Sequence, residues 1–149
     1  MRLSPVAAIV TAGLVAGTID IGAACLINML GPIVILHAIA SGVLGKPSYS
    51  GGLHTALLGL VLQWAMSIVI AAIYIAASKT IPLLARRWLS SGLAYGVAIF
   101  VVMSFVVVPL SNAWPKGPVP TPEKIVANLL AMLLFGVIVA RFDRIRWEK

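Results

Sequence analysis

Four long runs of the chain carry no charged side chain or only one: residues 6–27, 53–77, 89–110 and 125–142. About 20 apolar residues cross a hydrocarbon core of roughly 30 Å, within a range of about 17 to 25. The first three runs reach, and the second has length to spare. The fourth reaches if Arg141 is counted within it, its guanidinium snorkelling towards the headgroups. The apolar residues do not alternate as in a barrel strand, so the spans are predicted to be helices, which satisfy every backbone polar group within one segment. Composition agrees, with 61% of residues apolar and 10% charged, against roughly 25% charged in a soluble domain. The predicted fold class is therefore all-α, an integral membrane four-helix bundle built as a single transmembrane domain over residues 1–149.

Between the first two spans, residues 31–44 are apolar but too short to cross. Gly31-Pro32 opens the segment and Gly45-Lys46-Pro47 closes it. Proline suits the first turn of a helix and glycine its C-terminal end. The reading is a short helix over 32–44, interfacial or re-entrant, on the side that holds Lys46. Continuation of the first span to Ile35 as a tilted helix is the alternative, which Pro32 disfavours.

With four spans the termini share a side, and the side richer in Lys and Arg stays in the cytoplasm. Arg2, Lys79, Arg86, Arg87, Arg141, Arg144, Arg146 and Lys149 fall on that side, and Lys46, Lys116 and Lys124 on the other. The imbalance places both termini in the cytoplasm of a bacterial inner membrane and argues against insertion both ways up. Trp88 and Trp147 flank the cytoplasmic ends, and Tyr49 and Trp114 the outer segments, where amphipathic rings prefer the interface. Trp64, in mid-span, reads as packing or lipid-facing bulk. Pro115, Pro118, Pro120 and Pro122 predict a stiff outer spacer. The run after Arg2 resembles a signal peptide and Gly22-Ala23-Ala24-Cys25 a lipoprotein cleavage box, but Asp20 and Gly22 fit neither, so no cleavage is expected.

Lipid supplies no hydrophobic drive between helices, so small residues that allow close approach must hold them together. Gly13 and Gly17, continued by Ala12 and Ala16, form one such face, and Gly92 and Gly96 another. The pentads Gly-Leu-Val-Ala-Gly and Gly-Leu-Ala-Tyr-Gly hint at a two-helix duplication. Both faces are expected to pack within the bundle or across a homodimer.

Asp20 is the only acid within these four runs, and such a group costs about 2.5 to 3.5 kcal/mol near a helix centre on insertion scales. Something must compensate it. Ala16, Gly17 and Ala24 share its face, so it is expected to look into the bundle. One reading has Asp20 hydrogen-bonded to Gln63, Ser67 or a backbone carbonyl, joining the first two spans. The other gives it a proton or cation to bind, with Gln63, Ser67 and Asn28 lining the path. Asn28, His37 and His54 lie nearer the outer surface and extend the candidate pocket. His37 and His54 lack the spacing and supporting carboxylates of a haem or metal site, so no metal or other cofactor is expected.

Counting removes several enzyme classes. Cys25 is the sole cysteine, which excludes thiol redox pairs, and the spans lack the paired carboxylates of a membrane aspartyl protease or a metal-dependent prenyl transferase. Ser41, Ser48 and Ser50 lie near His37 or His54 without a GxSxG context. The formal charge of +7 comes from residues that punctuate apolar runs rather than cluster on a polar scaffold, so nucleic acid is not the expected partner. The basic rim of Lys79, Arg86, Arg87, Arg141, Arg144 and Arg146 follows from topology first. Attraction to anionic lipid headgroups comes second, and a partner's acidic patch third.

The segments Ile39-Ala40-Ser41-Gly42-Val43-Leu44-Gly45, Gly51-Gly52 leading into Ala56-Leu57-Leu58-Gly59, and Val106-Val107-Val108-Pro109-Leu110-Ser111 resemble those of a family of small bacterial four-span inner-membrane proteins with no established activity. The resemblance covers most of the chain and implies a compact four-span bundle, with no catalytic residue to carry over. Small multidrug exporters also place an acid in the first of four spans, but theirs is Glu and their chains run shorter. The function expected from the sequence is non-enzymatic: a structural or accessory bundle, forming homo-oligomers or joining a larger membrane complex. A small proton- or cation-linked transporter or channel using Asp20 is the alternative.

Overall fold

The computed structural model describes residues 3–112 and 121–148. Arg2, Lys149, Trp114, Lys116 and the prolines 115, 118 and 120 of the expected spacer lie outside the described residues. Every regular element among the described residues is helical. Helix α1 is Pro5–Asn28, α2 Pro32–Leu44, α3 Gly52–Thr80, α4 Leu83–Arg86, α5 Trp88–Leu110 and α6 Pro122–Trp147. Of these, α1, α3, α5 and α6 are long and apolar enough to cross a membrane. Their large apolar side chains are widely exposed, among them Val6, Leu26, Val61, Val69, Val97, Val101 and Leu130. In water such coverage would be an extended sticky surface, whereas in a bilayer it is the lipid-facing belt.

Local chemistry sets the ends. Ser4 accepts a hydrogen bond from the Ala7 backbone N–H at 3.1 Å, with Pro5 in the first turn of α1. Thr121 and Pro122 do the same for α6. Helix α1 stops at Met29, whose left-handed backbone (φ 54°) lets its own N–H and that of Leu30 return to the Cys25 carbonyl. Pro32 opens α2 and Gly45 (φ 71°) ends it. A 3₁₀ turn, Lys46–Ser50, then leads into α3, which ends at Ile81 ahead of Pro82.

Within α5, residues Met103–Val107 widen into a π-helical turn. Pro109 accounts for it: the ring has no N–H to offer Phe105 and crowds that carbonyl, so the helix dilates over the preceding turn.

The spans pack in the order α3, α1, α6, α5. A stripe of Ala8, Ala12 and Ala16 on α1 meets Phe135, Val139 and Ala140 of α6 in the core. The glycine faces lie inside the chain. A Cβ on Gly13 would fall 2.7 Å from Ile68 Cα of α3, and one on Gly17 would meet Ser67. A Cβ on Gly92 would fall 2.9 Å from the Gly136 carbonyl oxygen of α6, and one on Gly96 would fall 2.6 Å from the Met132 carbonyl oxygen. Helices α3 and α5, by contrast, meet through tyrosine side chains. Tyr74 and Tyr95 rings stand 5.1 Å apart, and the Tyr95 hydroxyl donates to the Ile70 carbonyl at 2.7 Å. Helix α2 lies at the end opposite the basic residues. It packs on α3 where Gly59 admits the Leu36 carbonyl, and Asn112 N–H donates to the Gly42 carbonyl at 2.9 Å.

Candidate functional site

Asp20 sits eight residues before the end of α1, about 12 Å along the axis at 1.5 Å per residue. Gln63 lies eleven residues into α3, about 16 Å from the same end of the bundle. The two depths match, because α1 and α3 run antiparallel with Gly17 between them. Gln63 Nε2 donates to Asp20 Oδ2 at 2.8 Å and approaches the Gly17 carbonyl at 3.4 Å. One residue on, Trp64 Nε1 donates to Thr18 Oγ1 at 3.1 Å, so the mid-span tryptophan is a polar clasp between the same two helices. The second carboxylate oxygen, Asp20 Oδ1, has no hydrogen-bond partner among the described residues.

Asp20 and Gln63 stand on the wall of a cavity of about 460 Å³ where α1, α2, α3 and α5 converge. Asn28 and Ser111 add polar groups towards the α2 end, while Ile35, Ile39, Met66 and Met103 supply apolar wall. The π-helical turn matters here, since Met103 and Val107 of that turn face the cavity. A mostly apolar chamber with a few convergent polar groups is the general form of a small-ligand site. Its chemistry is one-sided: the acid offers an acceptor, held in place by an amide that donates to its other oxygen.

Of the six residues singled out from sequence, the cavity brings together Asp20, Asn28 and Gln63 and leaves out the other three. Ser67 is buried against Gly17 and donates to the Gln63 carbonyl at 2.7 Å, one turn along its own helix, rather than to Asp20. His37 faces α3, its Nε2–H donating to the Gly52 carbonyl at 2.8 Å and its ring edge-on to Tyr49. Ser48 donates to the His37 carbonyl and Thr55 to that of Ser48, each at 2.8 Å, so His37 belongs to a latch between α2 and the start of α3. His54 is exposed beyond it. No three His, Cys, Asp or Glu side chains among the described residues are grouped to hold a metal.

The basic end contains a site that sequence reading passed over. Helix α6 runs to Trp147, five residues past the expected end at 142, and this carries a further acid, Asp143, onto a span helix that already holds Glu123 in its first turn. Asp143 is fully buried; Arg146 binds its Oδ1 through Nη2 at 2.8 Å and Nε at 3.2 Å, and reaches Ser78 Oγ of α3 at 3.2 Å. Asp143 Oδ2 has no partner among the described residues. Arg144 Nη1 donates to the carbonyls of Ala85 and Arg86, fixing α4 across the bundle end. Arg141 pairs with Glu148 at 2.9 Å and lies 5.6 Å over the Trp88 ring. The spacing Asp143-x-x-Arg146, a helical ion-pair interval, was the available signal. Gly136 was missed too, though Gly136-x-x-x-Ala140 repeats the small-residue spacing of its partners.

No protein-family profile, curated protein or solved structure matches this chain.

Proposed function

We propose that this chain is a non-enzymatic, multi-pass protein of a bacterial inner membrane that binds a proton or small cation at Asp20 and carries it through the bilayer. One observation bears most of the weight: Asp20 lines a chamber of about 460 Å³, and Gln63 holds one of its two carboxylate oxygens at 2.8 Å. The oxygen that Gln63 does not hold leaves Asp20 an acceptor for a proton or cation. The charge bias of the flanking segments supports a cytoplasmic basic end, and its residues favour anionic headgroups there.

The test is reconstitution into liposomes loaded with a pH-sensitive dye, with a proton gradient imposed alone and then against Na⁺ or K⁺. Wild type is expected to dissipate the gradient, and Asp20→Asn, which keeps the hydrogen bond but cannot titrate, to lose flux with its unfolding midpoint unchanged. Equal dye responses from wild type, Asp20→Asn and empty liposomes would reject transport. The second reading, an accessory bundle in a homo-oligomer or larger complex, draws on the same Asp20 to Gln63 bond as a clasp between α1 and α3. Such an oligomer would use a surface other than the glycine faces, since these are filled within the chain.

A further inference from the structure

Three cavities follow one another along the seam between α3 and α5, where the two backbones stay apart. The one nearest the basic end measures about 500 Å³ and has Arg87 and Ser90 at its rim. It shares Ile73, Tyr95 and Ala98 with a chamber of about 330 Å³ whose wall is otherwise Met66, Ile70, Ile99, Val102, Met103 and Val107. That chamber in turn shares Met66, Met103 and Val107 with the Asp20 cavity. Leu83, Ile73, Ala98 and Val102 are exposed along the seam, so it opens sideways, towards lipid in a bilayer.

The charges at its mouth are unbalanced. Arg141, Arg144 and Arg146 each have a carboxylate within 4.0 Å, whereas Arg87 has none among the described residues, and neither do its neighbours Arg86 and Lys79. From Arg87 to Val102 the slot runs fifteen residues along α5, about 22 Å at 1.5 Å per residue. One leaflet's share of the hydrocarbon core is about 15 Å, so a lipid tail entering from the basic end fits within the slot lengthwise. A strongly apolar slot of tail length, open to the bilayer and headed by an unpaired guanidinium, has the chemistry of one kind of occupant. We propose that the α3/α5 seam seats an anionic phospholipid, its phosphate on Arg87 and one acyl chain along Ile73, Tyr95, Ala98 and Val102. This seat is separate from the Asp20 cavity in headgroup position and in charge, so it stands whether or not Asp20 carries a proton.

Native mass spectrometry of the full chain, released from mild detergent after titration with phosphatidylglycerol or phosphatidylcholine, tests the seat. Wild type is expected to retain one phosphatidylglycerol, with a preference over phosphatidylcholine of about fivefold, the size one basic residue contributes near a membrane surface. Arg87→Gln is expected to erase the preference, and Ala98→Trp, which places a ring in the slot from an exposed position, to lose both lipids. Millimolar inorganic phosphate is expected to leave the bound lipid in place. Four results would overturn the proposal: equal retention of the two lipids, a preference surviving Arg87→Gln, lipid binding untouched by Ala98→Trp, or displacement by phosphate alone. A wild-type dimer that Ala98→Trp converts to monomer would assign the seam to a second copy instead. Circular dichroism of each variant excludes misfolding as the cause of lost lipid.

Discussion

Adding one methyl group at Gly96 and the same methyl at Gly22 should have opposite effects. A Cβ on Gly96 falls 2.6 Å from the Met132 carbonyl oxygen and 2.7 Å from Leu133 Cα, both backbone atoms of α6. Ordinary contact begins near 3.4 Å, so α5 and α6 must separate by about 0.8 Å. Neither atom can rotate away. Overpacking of this kind costs about 1–3 kcal/mol, offset by the gain of about 0.5–1 kcal/mol from replacing glycine with alanine inside a helix. The net expectation for Gly96→Ala is a loss of about 1 kcal/mol, and at most about 2.5 kcal/mol. Gly22 lies within α1 with nothing within 4 Å of its would-be Cβ, so Gly22→Ala keeps only the helical gain. Reversible unfolding in mixed micelles, followed by tryptophan fluorescence, reads both variants on one scale. The double variant Gly96→Ala with Gly136→Ala adds a check: once the helices are parted, the second methyl should cost less than it does alone. Equal stability of Gly96→Ala and Gly22→Ala would refute the claim that close backbone approach holds α5 to α6.

The other predictions use the same unfolding assay. Arg146→Ala leaves Asp143 buried without its cation and should cost about 3–5 kcal/mol. Replacing both residues with alanine should recover much of that loss, and an additive double variant would deny the coupling. Met29→Gly should stabilise the chain by about 0.5–1 kcal/mol, because Met29 is strongly exposed yet held at φ 54°, where glycine bears no side-chain penalty. A destabilised Met29→Gly would mean that the methionine side chain anchors that end of α1. Ser67→Ala should change stability by less than about 0.5 kcal/mol, since its hydroxyl bonds only to its own helix, and under the transport proposal it should leave proton flux intact. A flux defect matching that of Asp20→Asn would return Ser67 to the site.

Much of the candidate site could be read from position alone. Asp20 needed a partner, and Gln63 stood at the right depth on the adjacent span. Which polar residues would join them was another matter. Ser67 shares a face with Gln63 but turns towards Gly17, because the glycine leaves a space that only a small side chain fills. His37 had a nearer acceptor in the Gly52 carbonyl, and the 3₁₀ turn that brings it there has no periodic signature. Asp143 escaped notice because charge marks the end of a span in a sequence, whereas here Arg146 and Ser78 let the helix continue with the acid buried.

The amino-acid sequence alone determined four spanning helices and the short one between the first two. A hydrocarbon layer demands unbroken apolar length and internally satisfied backbone, and Pro32, Gly45 and Pro82 show where that length stops. It did not determine which helix lies beside which. Small-residue faces recur on α1, α5 and α6 and are nearly equivalent as patterns, so only three-dimensional packing selects α3 on α1, α1 on α6 and α6 on α5. That selection leaves α3 and α5 bridged by Tyr74 and Tyr95 rather than packed face to face, and so creates the seam. It also sets Asp20 and Gln63 on the wall of a chamber where four helices converge.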